Sequence, residues 1–300
     1  MNFTVYGNCQ AKALANNLLR NAFFKDEFFY LPLKAVQDIK EEEIYKILSE
    51  IELCDLIIEQ VVSDKYKYPD LSSTSIRKFK KMSAKSIVIP SIYFDGLFPS
   101  FLSLPLRSVL GFNHCFFIIK AFINGITIRD CIDVLENEKL FTRENSAFLF
   151  DLSLSELKKR EDKNRVDIKV SDIIEKNYKS SLLFDTCNHP RSKVFDLLSC
   201  KIWKSLGYEN VVSDSSDFNP DLGMVQLMPY RSTQLNLGLE YHIDKFVDVN
   251  NNLIPIEKVV TSFYQDYSNS GRGVFDMEKK LDSSKFLYLD TIAKRLFNYV

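Results

Sequence analysis

Cys9 and His189 are the two residues whose types suit covalent and proton-transfer chemistry together, and each follows a short apolar run and precedes a helical pattern. Phe3 to Tyr6 reads as a strand ending at Gly7, and from Gln10 to Arg20 the alanine- and leucine-rich sequence takes helical spacing at Leu14, Leu18 and Leu19. The turn Gly7-Asn8-Cys9-Gln10 therefore puts a thiol at a helix N-terminus. There the orphan N–H groups and the positive dipole end favour a thiolate, and the same groups would stabilise an oxyanion. A small buried residue closing the sheet edge is the competing reading, and the turn alone does not separate them. Phe184-Asp185-Thr186-Cys187-Asn188-His189-Pro190 supplies a second such turn. Pro190 suits a first helical position and biases His189 towards an extended N-cap, on the same rim as Cys9. A neighbouring helix N-terminus keeps that imidazole neutral and able to take a proton, and Asp185 is placed to orient it. Alone, His189 reads as a capping residue. Paired with Cys9, it points to acyl transfer.

The elements that must position these residues alternate. A helix is predicted from Glu41 to Ile51, a buried strand from Asp55 to Val62, a basic helix near Arg77 to Lys81, and a strand from Ser86 to Pro90. That order predicts an α/β fold with a flavodoxin-like parallel sheet flanked by helices. Pro90 to Pro105 reads as an ordered loop, Thr127 to Leu140 and Leu154 to Lys163 as helices, and Ser181 to Asp185 as a strand. Pro190 is predicted to open a helix with apolar residues at Val194, Leu197, Leu198, Ile202 and Leu206, which Gly207 stops. Ser213 to Pro220 is polar, Leu239 to Val247 reads as a strand, and helices are expected near Ile256 to Tyr267 and Lys285 to Asn298. Lys158-Lys159-Arg160 with Glu161 and Asp162 reads as a solvated helix face. Residues 1–207 are taken as the α/β catalytic core and 208–300 as an extension packed on it.

Apolar types make up 46% and charged types 26% of the 300 residues, so a packed core is expected. The net charge of -1 gives no global field for nucleic acid or an anionic membrane. No signal peptide or membrane span is read, which points to a cytoplasmic protein with six reduced cysteines. None of the three histidines has zinc-type spacing, so no metal is expected, and His114 and His242 are read as structural.

The run Val5-Tyr6-Gly7-Asn8-Cys9-Gln10-Ala11, the strand ending Glu59-Gln60, Pro90-x-x-Tyr93 with Pro99, and Phe184-x-Thr186-x-Asn188-His189-Pro190 followed by a helix ending Leu206-Gly207 resemble the WcbI family. The resemblance covers about two thirds of the chain, as motifs in order. It implies a capsular-polysaccharide biosynthesis enzyme, a coenzyme A-dependent acetyltransferase with a fold distantly similar to SGNH/GDSL hydrolases. In those hydrolases a serine follows Gly-Asp after the first strand, where this chain has Gly7-Asn8-Cys9, and a DxxH motif supplies acid and base. Here Asp185 stands four residues before His189, with Thr186 at the acid position, so a Cys-His dyad is expected rather than a full triad. The co-substrate implied is acetyl-CoA, with Lys12, Arg191 and Lys193 as candidates for its phosphates. The acceptor implied is a sugar or polysaccharide precursor, with possible association with envelope biosynthesis machinery. Asn8, Gln10, Gln60 and Asn188 would contact an acyl oxygen or sugar hydroxyl, and Tyr93 and Phe94 would flank the sugar or close the core beneath their loop. A thioesterase or carbohydrate esterase would use the same dyad, and a non-catalytic sugar- or nucleotide-binding role is the reading from another class.

Overall fold

In the computed structural model the β-branched and aromatic run Asn2–Tyr6 forms strand β1, and helix α1, Gln10–Leu18, follows after one tight turn. Residues 1–208, 220, 222–271, 273–274, 281 and 283–298 are described. Of the polar stretch 213–220, all but Pro220 lies outside them. Helix α2 (Ala22–Glu27) leads to β2 (Phe29–Tyr30), α3 (Ile44–Glu52) to β3 (Leu56–Gln60), and α4 (Ser73–Phe79) to β4 (Lys85–Ile89). The four strands form one parallel sheet in the order β2-β1-β3-β4, with Phe3 opposite Leu56 and Tyr6 opposite Glu59. All five residues of β3 are buried, as an interior parallel strand covered on both faces requires. This is the flavodoxin-like order, and its switch point lies between β1 and β3.

The packing divides into two compact units, each drawn from three segments of chain. The first comprises residues 1–93, 155–177 and 189–222, and holds the parallel sheet. In it α9, Ser192–Ser205, buries Val194, Phe195, Leu198, Ile202 and Trp203, and Gly207 ends it at a left-handed φ of 94°. Asn17 of α1 donates to Asp196 of α9 at 2.8 Å within this packing. Helix α7, Arg143–Asn164, is longer than the stretch predicted from Leu154. Glu161 corrects the solvated-face expectation: it is fully buried, and its Oε1 accepts from the N–H groups of Val170 and Ser171 at 2.7 and 2.9 Å. Those donors open α8, Ser171–Asn177, where N–H groups lack helical partners.

The second unit comprises 94–154, 178–188 and 223–300, so residues that precede Gly207 in the chain pack with those that follow it. Its antiparallel pair β5 (Phe101–Ser108) and β6 (Gly111–Cys115) corrects the expected loop from Pro90, which ends at residue 100. Pro105 is tolerated because the ladder shifts register between Ser103 and Ser108, where a missing N–H breaks no bond. Helices α5 (Phe116–Ile123), α6 (Ile128–Glu136), α10 (Arg231–Leu237), α11 (Ile256–Asn269) and α12 (Ser284–Phe297) complete it. The strand expected from Leu239 shrinks to β9, Phe246–Val247, paired with β10, Leu253–Ile254. His114 and His242 serve this packing: His114 bonds Tyr267 at 3.0 Å and the Leu106 carbonyl at 2.7 Å, and His242 bonds Gln234 at 3.0 Å. Among the described residues no helix is long and apolar enough to cross a membrane.

Candidate active site

At the switch point the carboxyl ends of β1 and β3 present Gly7 and Gln60, and two buried amides hold the turn between them. Gln60 Oε1 accepts from the Asn8 N–H at 3.0 Å, while its Nε2 donates to Gln10 Oε1 at 2.8 Å and the Pro90 carbonyl at 3.4 Å. Gln10 Nε2 in turn donates to the Ile92 carbonyl at 2.7 Å, and Gln10 Oε1 accepts from the Ile92 N–H at 3.0 Å. Gln10 and Gln60 are 1% and 3% exposed, which assigns them to holding the turn rather than to touching a ligand. Asn8 is half-buried; its Oδ1 caps the Gln10 N–H at 2.9 Å and its Nδ2 donates to Ser91 at 2.9 Å. Glycine at position 7 follows from this packing, because a Cβ there would lie 2.2 Å from Gln60 Oε1.

Cys9 is the N-cap of α1, half-buried, as the turn predicted. Its electrostatics run against the predicted thiolate. Burial pushes the thiol above its ordinary value and the Asp38 carboxylate adds to the rise; the N–H groups of Cys9 and Gln10 pull the other way without offsetting it. The Gln10 N–H is already taken up by Asn8 Oδ1 at 2.9 Å.

His189 departs from its predicted setting. His189 and Pro190 form a two-residue strand, β8, and the helix begins only at Ser192 with an extended Arg191 as N-cap. His189 is therefore not a helix cap, and burial, not a helix dipole, holds its imidazole below the usual histidine range. Its Nδ1 is closed to solvent with no hydrogen-bond partner among the described residues. No hydrogen bond links His189 to Cys9 in this state either, although both belong to the first unit.

Asp185 and Asn188 fall in the second unit. Strand β7 there runs only Phe184–Thr186 and is not one of the four sheet strands, which corrects the expected second sheet connection. The Asp185 carbonyl accepts from the Leu227 N–H at 2.7 Å, and Asn188 Oδ1 accepts from Thr186 at 2.9 Å. In the first unit Lys12 and Lys193 are exposed and Arg191 is half-buried. Tyr93 is 40% exposed, and the Arg160 guanidinium lies 5.8 Å from its ring centroid. Phe94 is fully buried against Phe150 and Phe184, which is core packing.

A family model described as polysaccharide biosynthesis enzyme WcbI matches residues 2–211, a span that takes in the Cys9 turn, Gln60, Tyr93 and His189. The chain belongs to the WcbI family of polysaccharide biosynthesis enzymes. A solved structure of WcbI, a protein described as a novel polysaccharide biosynthesis enzyme, is 22% identical and covers 99% of both chains with a TM-score of 0.86. That likeness shows the fold. The structure is described as the native protein without a disulfide bond between coenzyme A and one of its cysteines. Curated proteins gave no match.

For this WcbI family member, sequence reasoning missed one residue that holds the turn and one buried charge in the sheet. Ser91, which anchors Asn8, carries no signal beyond its place after Pro90. Glu59 is a charged residue inside an apolar strand run, and that anomaly was the available signal. The raised thiol also sets an expected reactivity. Iodoacetamide should modify Cys9 at pH 7 more slowly than it modifies a cysteine in an unfolded peptide, with the rate rising about tenfold per pH unit beyond pH 8.5. Peptide mapping by mass spectrometry would read this, and labelling of Cys9 faster than the peptide at pH 7 would restore the thiolate.

Proposed function

We propose that the chain transfers an acetyl group from acetyl-CoA to a hydroxyl of a capsular or cell-surface polysaccharide sugar, with His189 as general base beside the Cys9 turn. The observation that carries the reading is the half-buried imidazole of His189, which burial keeps neutral and so able to accept a proton. Family membership supports a sugar-related substrate, and the mention of coenzyme A with a cysteine in the WcbI relative supports a coenzyme A substrate. His189 removes the proton of the sugar hydroxyl as its oxygen bonds to the thioester carbon; the carbon–sulfur bond breaks and the departing thiolate takes that proton back. Carbonyl charge developing in this step is assigned to the positive dipole end of α1, at whose N-cap Cys9 stands. Lys12, Arg191 and Lys193 are assigned to the coenzyme A phosphates, and Tyr93 and Asn8 to the sugar.

The raised Cys9 thiol favours direct transfer over an acetyl-cysteine stage, because little thiolate is present at neutral pH. Incubation with radiolabelled acetyl-CoA and a panel of capsular sugar precursors tests the reading. Label is expected in the sugar, and release of free acetate with no labelled sugar would instead identify a thioesterase.

The lowered His189 pKa gives a pH dependence with a definite sign. The unfolded chain binds this proton more readily than the folded one, so stability falls as pH drops below about 6.5 and goes on falling until the folded imidazole is protonated. As base, His189 is active when neutral, so the acid limb of kcat/KM is expected below about pH 6.5. A pH–rate profile read against coenzyme A binding checks it; an acid limb above that value would exclude His189 in this role.

A further inference from the structure

On the outer side of the sheet, beside β4 and between α4 and the turn that ends α7, a cleft of about 630 Å³ opens within the first unit. It uses none of the residues assigned to acetyl transfer. Glu59 lies at its floor, 1% exposed, with Oε1 held by Arg77 Nε at 2.7 Å. Glu59 Oε2 is closed to solvent and has no hydrogen-bond partner among the described residues. A buried carboxylate oxygen without a donor is uncommon in folded proteins and calls for one. The walls bring Lys80, Lys163 and Arg165 against the carboxylates of Asp64 and Asp167, which leaves positive charge in excess by one. Of these carboxylates, Asp167 is engaged by the Val88 N–H at 2.7 Å. Arg165 holds a left-handed φ of 51° just after α7, a position where glycine is the easier residue.

A bare anion in this cleft would meet the Glu59 carboxylate, and a neutral sugar would leave the excess positive charge of the walls unmatched. A ligand that carries a hydroxyl donor at one end and an anion at the other meets both demands. We propose that the cleft binds a phosphorylated sugar, with a ring hydroxyl donating to Glu59 Oε2 and the phosphate facing Lys163 and Arg165. The family's connection with polysaccharide synthesis selects sugars among hydroxyl-bearing phosphates. The volume falls within the range of about 300–1,000 Å³ usual for small-molecule sites.

Isothermal titration of the full chain at low salt with glucose 1-phosphate, galactose 1-phosphate and mannose 1-phosphate tests this, against inorganic phosphate and the three free hexoses. At least one sugar phosphate is expected to bind at least tenfold more tightly than both inorganic phosphate and its own parent sugar. The exposed pair Lys163→Gln with Arg165→Gln should weaken that binding tenfold or more, with the unfolding temperature unchanged. Equal affinity for inorganic phosphate, undiminished binding by the double variant, or no binding by any of the three sugar phosphates would each overturn the proposal. Coenzyme A binding, titrated on the same samples, reports on the acetyl-transfer reading alone, so failure of one is distinguishable from failure of the other.

Discussion

His189→Ala is expected to lower acetyl transfer from acetyl-CoA by about 10²- to 10⁴-fold, the contribution of a positioned general base. The loss should fall on kcat, with coenzyme A affinity changed little, because a base acts on a proton that moves only in the transition state. Folding should not account for it. The imidazole is buried with an unmet nitrogen, so its removal takes away an unsatisfied group along with some packing. Stopped-time assays with labelled acetyl-CoA, alongside urea unfolding of the same variant, separate the two effects. Cys9→Ala provides the contrast: direct transfer predicts that it keeps activity within about tenfold of the parent, since the positive dipole end of α1 survives the substitution. An inactive Cys9→Ala protein of normal stability would establish covalent transfer through the thiol.

The second large effect is structural. Gly7→Ala should destabilise the fold by about 2–5 kcal/mol, combining overpacking with the loss of buried hydrogen bonds. The added Cβ would lie 2.2 Å from Gln60 Oε1 and 3.0 Å from Gln60 Cβ, so the whole side chain must move. Its movement leaves the Asn8 N–H without its acceptor and Gln10 Oε1 short of one donor. Urea midpoints at constant slope measure the change. A Gly7→Ala, Gln60→Ala double variant should be less destabilised than the sum of the singles, because the alanine at 60 removes the clashing atoms. Strict additivity would show that the clash is relieved elsewhere.

The sheet and the Cys9 turn were legible because local signals and tertiary packing agree there. A β-branched run, a glycine that no Cβ can replace, and an alanine-rich helical period point to one geometry. The His189 segment differs from its sequence expectation for a physical reason: proline favours a first helical position but equally suits an extended strand, and Pro190 takes the second option, delaying the helix to Ser192. Glu161 reads in sequence as a surface charge because its neighbours are charged, and nothing local reveals that two backbone donors converge on it from residues 170 and 171. The electrostatics of Cys9 were hidden in the same way, since Asp38 approaches from a different turn. Long-range desolvation leaves no mark on neighbouring letters.

The amide circuit of Asn8, Gln10 and Gln60 is assembled from side-chain amides, backbone groups and the Ser91 hydroxyl. None of these gains or loses a proton across the working range of an enzyme, so the frame of the turn is silent to titration. Acidification can therefore disarm a base mounted near such a frame without deforming the frame itself. A pH–activity curve measured on this protein then reports protonation of reacting groups, and Gln60→Glu would convert the same frame into a proton-operated latch.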